Sequence, residues 1–262
     1  MTKQNIIAVI PARMNSSRFP GKPMELIHGI PMIGHCFLRV KLCPDLDDTY
    51  VATCDPVIYD YIRSIKGKAI MTSEKHERAS DRTAEAISVV ERETKQKVDI
   101  VVMVQGDEPM DTPEMISEAL APMLRSKDIS VVNLMGEISS VEEFEDPNTV
   151  KVVVDNKQSA LYFSREPVPS RREGIDSVPM LKQICIIPFR RDYLTVFNNT
   201  TPTPLEVIES VDMLRVLESG GLVQMVRTES ESYGVDTPED LELVTRKMEN
   251  DPLMRSYLGV RR

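Results

Sequence analysis

The chain is poor in the residues that metal-stapled, disulfide-stapled and nucleic-acid-binding proteins depend on. Its 262 residues include three histidines, His28, His35 and His76, and four cysteines, Cys36, Cys43, Cys54 and Cys185, with no Cys-x-x-Cys pair among them. A structural zinc site is not expected. Nor is a disulfide framework at this length, so the thiols read as small hydrophobes of a reducing compartment. A basic excess is missing too: 41 acids stand against 32 bases, a net charge of −9. That balance argues against a broad basic face for nucleic acid or a membrane surface. No apolar run approaches the roughly 20 residues of a membrane span, and the N-terminus has no secretory apolar core. A cytoplasmic location is the expectation. Internal repeats and low-complexity segments are also absent.

What is present is an alternation. "NIIAVI" (5–10), "TYVATC" (49–54), "KAIMT" (68–72), "VDIVVMV" (98–104) and "ISVVNLM" (129–135) are short β-rich runs, and segments of helical period lie between them. One helix is announced by "DTPEMISEALAPML", where Thr112 can cap and Pro113 suits the first helical position. Strands and helices at this spacing predict an α/β fold with a Rossmann-like, mostly parallel sheet covered on both faces. The rhythm breaks near residue 140. "VKVVVD", "SALYFS" and "LKQICII" look like strands around the proline-bearing "REPVPSRREGIDSVP", which predicts a β-rich insertion over about 140–190 within a single domain of 1–262. The pattern returns with a helix over 205–218, a strand over 222–226 and a last helix opened by "VDTPEDLELV".

Ligands of open parallel sheets sit beyond the carboxyl ends of the strands. "IPARMNSSRFPGKP" (10–23) lies just past one such end and bunches Arg13, Arg18 and Lys22 with Gly21 in an acidic chain. Local positive charge of this kind points to a small anionic ligand such as a phosphate, although a solvated basic turn has the same composition. The stretch is not a Walker A loop, which needs G-x-x-x-x-G-K-[ST]. A second strand exit, "VVMVQGDEPM" (101–110), carries Asp107 where a carboxylate can hold Mg²⁺ against a nucleotide phosphate, or can simply cap a turn. In "YGVDTPEDL" (233–241), Asp236 is a further candidate carboxylate, yet Asp236 or Thr237 before Pro238 is also what a helix start looks like.

Taken in order, "IPAR" with "SSRFPGKP", "VQGDEP", "ALYFSR", "PLEVIESVDMLRVL" and "VDTPEDL" span residues 6 to about 248. The series resembles the 3-deoxy-manno-octulosonate cytidylyltransferases, also called CMP-Kdo synthetases. The resemblance implies a fold of the nucleotide-diphospho-sugar transferase type and a homodimer joined through the insertion. It implies CTP and a 2-keto-3-deoxy sugar acid as substrates, Mg²⁺ as cofactor, and no nucleic-acid or membrane partner. Arg13, Ser17, Arg18 and Lys22 match the loop that binds the triphosphate, and Arg82 lies in a segment against the nucleotide. Asp107 and Asp236 match the metal-holding carboxylates, and with Lys22 they form the implied catalytic set. Gln105, Arg165, Gln183, Glu206 and Glu209 fall on the sugar side, Arg165 toward the carboxylate and the two glutamates toward hydroxyls. The alternatives are a same-fold enzyme acting on a sugar 1-phosphate and a silent relative that only binds nucleotide.

Two segments depart from the family pattern. "HERASDR" (76–82) keeps His76, Asp81 and Arg82 of H-x-S-G-T-[DE]-R but puts Arg78 and Ala79 in place of serine and glycine. "KQICIIPF" (182–189) has Gln183, Cys185 and Ile187 where the family has histidine, glycine and tyrosine. An apolar Ile187 facing the sugar would disfavour Kdo itself and favour an altered sugar acid, unless these changes are drift.

Overall fold

The computed structural model describes residues 3–16, 18–170 and 179–258. Two compact units are present, one formed by 1–117 with 231–262 and the other by 118–230.

In the first unit, β1 (Ile6–Ala12) is buried along its whole length, as a strand covered on both faces must be. The chain then passes a left-handed Gly21 (φ +83°) into one 3-10 turn, Lys22–Met24, and a small ribbon of β2 (Leu26–Ile27) and β3 (Ile30–Pro31). Next come α1 (Met32–Val40), β4 (Asp48–Thr53), α2 (Pro56–Ser64), β5 (Lys68–Met71), α3 (Ala79–Thr94) and β6 (Ile100–Val104) in strict alternation. The strands lie in the order β6-β1-β4-β5, all parallel, with Ile7 opposite both Asp48 and Val101. Helices α1 and α3 pack on β1, and α2 packs on β4 and β5. The α/β class read from the alternation is therefore observed. Because the strands run one way, their carboxyl ends open at one edge, where the loops after β1, β5 and β6 gather. Helix α4 (Pro113–Arg125) begins as expected, with Thr112 Oγ1 accepting the Met115 N–H at 3.3 Å.

The second unit contains β7 (Val132–Glu137), α5 (Val141–Glu145), β8 (Lys151–Val154), β9 (Ala160–Ser164), β10 (Leu181–Ile184), β11 (Ile186–Arg190), α6 (Arg191–Asn199), α7 (Pro204–Glu209), α8 (Met213–Glu218) and β12 (Gln224–Arg227). Its sheet has the order β12-β7-β10-β8-β9, parallel only between β12 and β7. The strands expected as an insertion over 140–190 are thus part of a larger unit, because β7 before them and β12 after them complete the same sheet. The helix expected over 205–218 is two helices. Ser210 adopts a left-handed φ of +53° at the end of α7, and the next residue, Val211, is buried at the break. Burial of that valine offsets the cost of a non-glycine residue in the left-handed region.

The last segment returns to the first unit as α9 (Pro238–Met248) and α10 (Pro252–Leu258). Val235, Val244, Met248 and Met254 form a small core with Ile27 and Met32. Each fully buried aliphatic side chain there contributes about 1.5–3 kcal/mol, which anchors the stretch that carries Asp236.

Candidate active site

Side chains from three separated stretches of the first unit converge on one nitrogen. Lys22 Nζ donates to Asp107 Oδ2 at 2.5 Å, to Asp236 Oδ1 at 2.9 Å and to the carbonyl oxygen of Val235 at 2.8 Å. Gly106 suits the approach: a Cβ there would sit 3.0 Å from the carbonyl oxygen of Pro11 and 3.0 Å from Ile33 Cδ1. A side chain would press on the exit of β1, which would have to give by a few tenths of an ångström. The ambiguity at the start of α9 is resolved by its cap. Thr237 Oγ1 accepts the Asp240 N–H at 3.2 Å, and the Asp240 carboxylate accepts the Thr237 N–H at 2.9 Å, a reciprocal capping box. Asp236 is free of that duty, and its Oδ1 also takes Arg18 Nη2 at 2.9 Å. Burial acts to lower the Lys22 pKa, but Asp107 and Asp236 outweigh it and raise it, so the ammonium stays charged.

A pocket of about 260 Å³ opens beside these groups, lined among others by Arg13, Arg18, Arg78, Arg82 and Gln105. Arg13 is exposed, and Ser17 lies outside the described residues. The loop after β1 is held by Asp55, whose Oδ2 accepts the Met14 N–H at 2.8 Å. Arg82 is 3% exposed. Its Nη1 donates to Thr72 Oγ1 at 2.5 Å and to the Ser73 carbonyl at 3.3 Å, so much of the guanidinium braces the loop after β5 from inside. In the same loop His76 Nε2 bonds Glu85 Oε2 at 2.5 Å. Against the burial that would raise it, bonds from the Ser73 N–H and His76 hold the Glu85 carboxyl below its usual range.

The residues expected on the sugar side lie in the second unit, Gln105 apart. Glu209 Oε1 accepts from the Tyr162 and Ser164 hydroxyls, each at 3.1 Å, and Oε2 accepts the Arg165 N–H at 2.8 Å. Arg165 in turn donates Nε to the Glu209 carbonyl at 2.6 Å and Nη1 to the Pro147 carbonyl at 2.8 Å. Both side chains stay partly exposed. Glu206 does not match its expected role. It is 0% exposed, and its carboxylate forms a two-pronged pair with Arg215, Oε2 to Nε at 2.7 Å and Oε1 to Nη2 at 2.5 Å. Oε2 also accepts the Thr203 N–H at the start of α7. A carboxylate enclosed in this way ties α7 to α8 and presents no oxygen to solvent. Gln183 Nε2 donates to Asn133 Oδ1 at 2.5 Å. Ile187 is 3% exposed, so the hydrocarbon that was expected to face a sugar is part of the protein interior.

A model of the family described as Cytidylyltransferase matches residues 7–232. A 3-deoxy-manno-octulosonate cytidylyltransferase of Geobacter metallireducens is 40% identical over 253 residues, covering 93% of this chain and 97% of that protein. The one from Geobacter sulfurreducens is 41% identical over 254 residues, covering 93% and 99%. The chain belongs to the 3-deoxy-manno-octulosonate cytidylyltransferase family. The solved structure of a CMP:2-keto-3-deoxy-manno-octonic acid synthetase complexed with CTP superposes with a TM-score of 0.84 at 38% identity, covering 94% of this chain and 98% of that one. At 14% identity, 4-diphosphocytidyl-2C-methyl-D-erythritol synthase from Anaerococcus prevotii shares the fold, with a TM-score of 0.61 over 94% of this chain and 96% of that one.

Around this member of the cytidylyltransferase family, several supporting residues had no signature in the sequence. Ser232 Oγ donates to Asp111 Oδ1 at 2.7 Å and lies 3.3 Å from Glu108 Oε2, joining the loop after β6 to the stretch that leads to Asp236. Burial pushes the Asp111 carboxyl up to about 7, although Ser232, Arg39 and Glu108 act to lower it. Arg39, 3% exposed, donates Nε to the Asp111 carbonyl at 2.8 Å and Nη2 to the Met110 carbonyl at 2.9 Å. In the second unit the buried Lys151 donates to the carbonyls of Asp146, Thr149 and Arg165 and so supports the backbone of Arg165. Burial pushes the Lys151 ammonium pKa down. Ser232, Asp111, Arg39 and Lys151 lie outside the motifs that carry the family resemblance, because each is recruited by packing between segments remote in sequence.

Proposed function

We propose that this chain is a CTP-dependent cytidylyltransferase that activates a 3-deoxy-2-ulosonic acid, with Kdo as the acceptor, and releases pyrophosphate. The observation that carries the reading is the meeting of Lys22, Asp107 and Asp236 beside an arginine-lined pocket in a chain of net charge −9. In the reaction the anomeric hydroxyl oxygen of the sugar acid attacks the α-phosphorus of CTP and gives up its proton to solvent water. The bond from that phosphorus to the bridging oxygen breaks, and pyrophosphate leaves with the electron pair. Reactions of this class depend on positioning and charge more than on covalent help. Arg13, Arg18 and Lys22 neutralise the triphosphate and the charge that grows on the leaving group. Gln105, at the same pocket, donates to and accepts from sugar oxygens. Arg165 offers a charge-assisted bond to the acid's carboxylate, and Glu209 keeps it oriented.

Asp107 and Asp236 are the residues that would hold Mg²⁺. Their hard oxygens within 2.9 Å of one shared nitrogen suit an ion that takes one or two carboxylates and completes its shell with water and phosphate. When bound, Mg²⁺ supplies Lewis acidity at the phosphate and a lowered pKa at the attacking hydroxyl. A homodimer and a cytoplasmic location complete the reading. Among the described residues no helix is long and apolar enough to cross a membrane.

Pyrophosphate release from CTP, measured with Kdo, with other 2-ulosonic acids and with a sugar 1-phosphate, tests the assignment. Turnover with a free sugar acid alone is expected. Turnover only with the sugar 1-phosphate, or tight CTP binding with none, would replace it.

A further inference from the structure

Lys22 has no spare donor. Its three N–H bonds are taken by Asp107 Oδ2, Asp236 Oδ1 and the Val235 carbonyl, and its side chain is 9% exposed. Arg18 Nη2 adds a second cation on the same Asp236 oxygen, 2.9 Å away. Two carboxylates are thus matched by two cations, and the group has no net charge. From these contacts we infer that Lys22 is a displaceable stand-in cation. Its ammonium holds Asp107 and Asp236 together until a nucleotide triphosphate draws it off, so a divalent ion reaches the two carboxylates only together with the nucleotide. The inference rests on the reading of Asp107 and Asp236 as metal carboxylates.

The charge balance favours an exchange over simple addition. A divalent ion arriving alone meets carboxylates that are already neutralised, each with an oxygen committed to a cation. To use both, it must displace an ammonium that is mostly desolvated and fully bonded, which costs the pairing of a buried charge. A triphosphate changes both sides of that competition. Its negative oxygens offer Lys22 and Arg18 equivalent partners, and they also supply the phosphate ligands that Mg²⁺ prefers. Arg18, 46% exposed at its side chain, is the more accessible of the two cations. The backbone around Lys22 is stiff, with Pro20 and Pro23 on either side of the left-handed Gly21, so the exchange is assigned to the four rotatable bonds of the lysine side chain.

Binding of Mn²⁺ to the full chain, followed by electron paramagnetic resonance of the free ion, tests this without turnover. Wild type is expected to take up Mn²⁺ weakly alone and to gain a tight site when CTP is added without sugar acid, beyond what CTP holds by itself. Lys22→Gln is expected to bind Mn²⁺ about tenfold or more tightly than wild type with no nucleotide present. That gain should vanish in Lys22→Gln with Asp236→Asn. Equal Mn²⁺ affinity in wild type and Lys22→Gln without nucleotide overturns the stand-in role while leaving the metal reading in place. Absence of an added site in every protein, with CTP or without, overturns both. If Lys22→Gln fails to fold by circular dichroism, wild type decides alone: Mn²⁺ bound as tightly without CTP as with it ends the idea.

Discussion

Val235 donates its backbone N–H to the carbonyl oxygen of Asp107 at 2.9 Å. The residue before one candidate metal carboxylate is therefore bonded to the backbone of the other. Val235 is also 0% exposed within the core shared by β2, α1, α9 and α10, so the distance between the two carboxylates is set by packing as well as by charge. Preorganisation of this kind lets a charged site act without reordering at the moment of reaction.

The capping box separates the roles of two adjacent residues. Asp236→Asn, like Asp107→Asn, should lower kcat by about 10²–10³-fold with the fold intact, since an amide cannot replace a carboxylate as a ligand. Thr237→Ala should cost about 0.5–2 kcal/mol of stability through the lost cap and leave most turnover. Steady-state pyrophosphate release and urea melts on the three variants check this; near-normal kcat in Asp236→Asn would return Asp236 to a structural role.

Lys22→Met should depress kcat by about 10²-fold or more, because a charge facing the leaving pyrophosphate counts for more in the transition state than in the ground state. A rise in the KM for CTP with kcat unchanged would mark Lys22 as a ground-state binder only.

Glu206→Gln should show itself in stability before it shows in kinetics. Removing the carboxylate leaves the Arg215 guanidinium, 3% exposed and 4.3 Å from the centre of the Phe197 ring, without its counter-charge. Breaking a buried pair in this way costs about 3–5 kcal/mol. Denaturant unfolding measures it. An unchanged midpoint together with a raised KM for the sugar acid would show that Glu206 reaches substrate after all.

Asp111 makes stability depend on pH. Its folded pKa is raised from 3.8 to about 7, so the folded protein holds a proton that the unfolded chain has released. Its contribution is therefore fully present below about pH 4 and is lost as pH rises through about 7. Melting temperatures of wild type relative to Asp111→Asn should accordingly fall between those limits. A constant difference across the range would place the Asp111 pKa near its ordinary value.

By itself the sequence determined the α/β class with a mostly parallel sheet, the loops at the strand ends, and the family. Each of these depends on local signals: apolar runs, cap residues such as Thr112 and Pro113, and short motifs whose residues stay near one another in any fold. It also placed Lys22, Asp107 and Asp236 on such loops, but apart from the family resemblance its local signals let either Asp236 or Thr237 start the last helix. Tertiary structure shows the division of labour: Thr237 closes the capping box with Asp240, while Asp236 is met by a cation from residue 22, a partner remote in sequence. The same holds for Glu206 and Ile187. A family pattern assigns them to a substrate surface, whereas the packing of α7 on α8 and the burial of β11 turn them inward. The break at Ser210 and the extent of the second unit were hidden for a related reason. A periodic pattern records which residues are apolar but not where a buried valine makes a bend cheaper than a straight helix, nor which distant strand will complete a sheet.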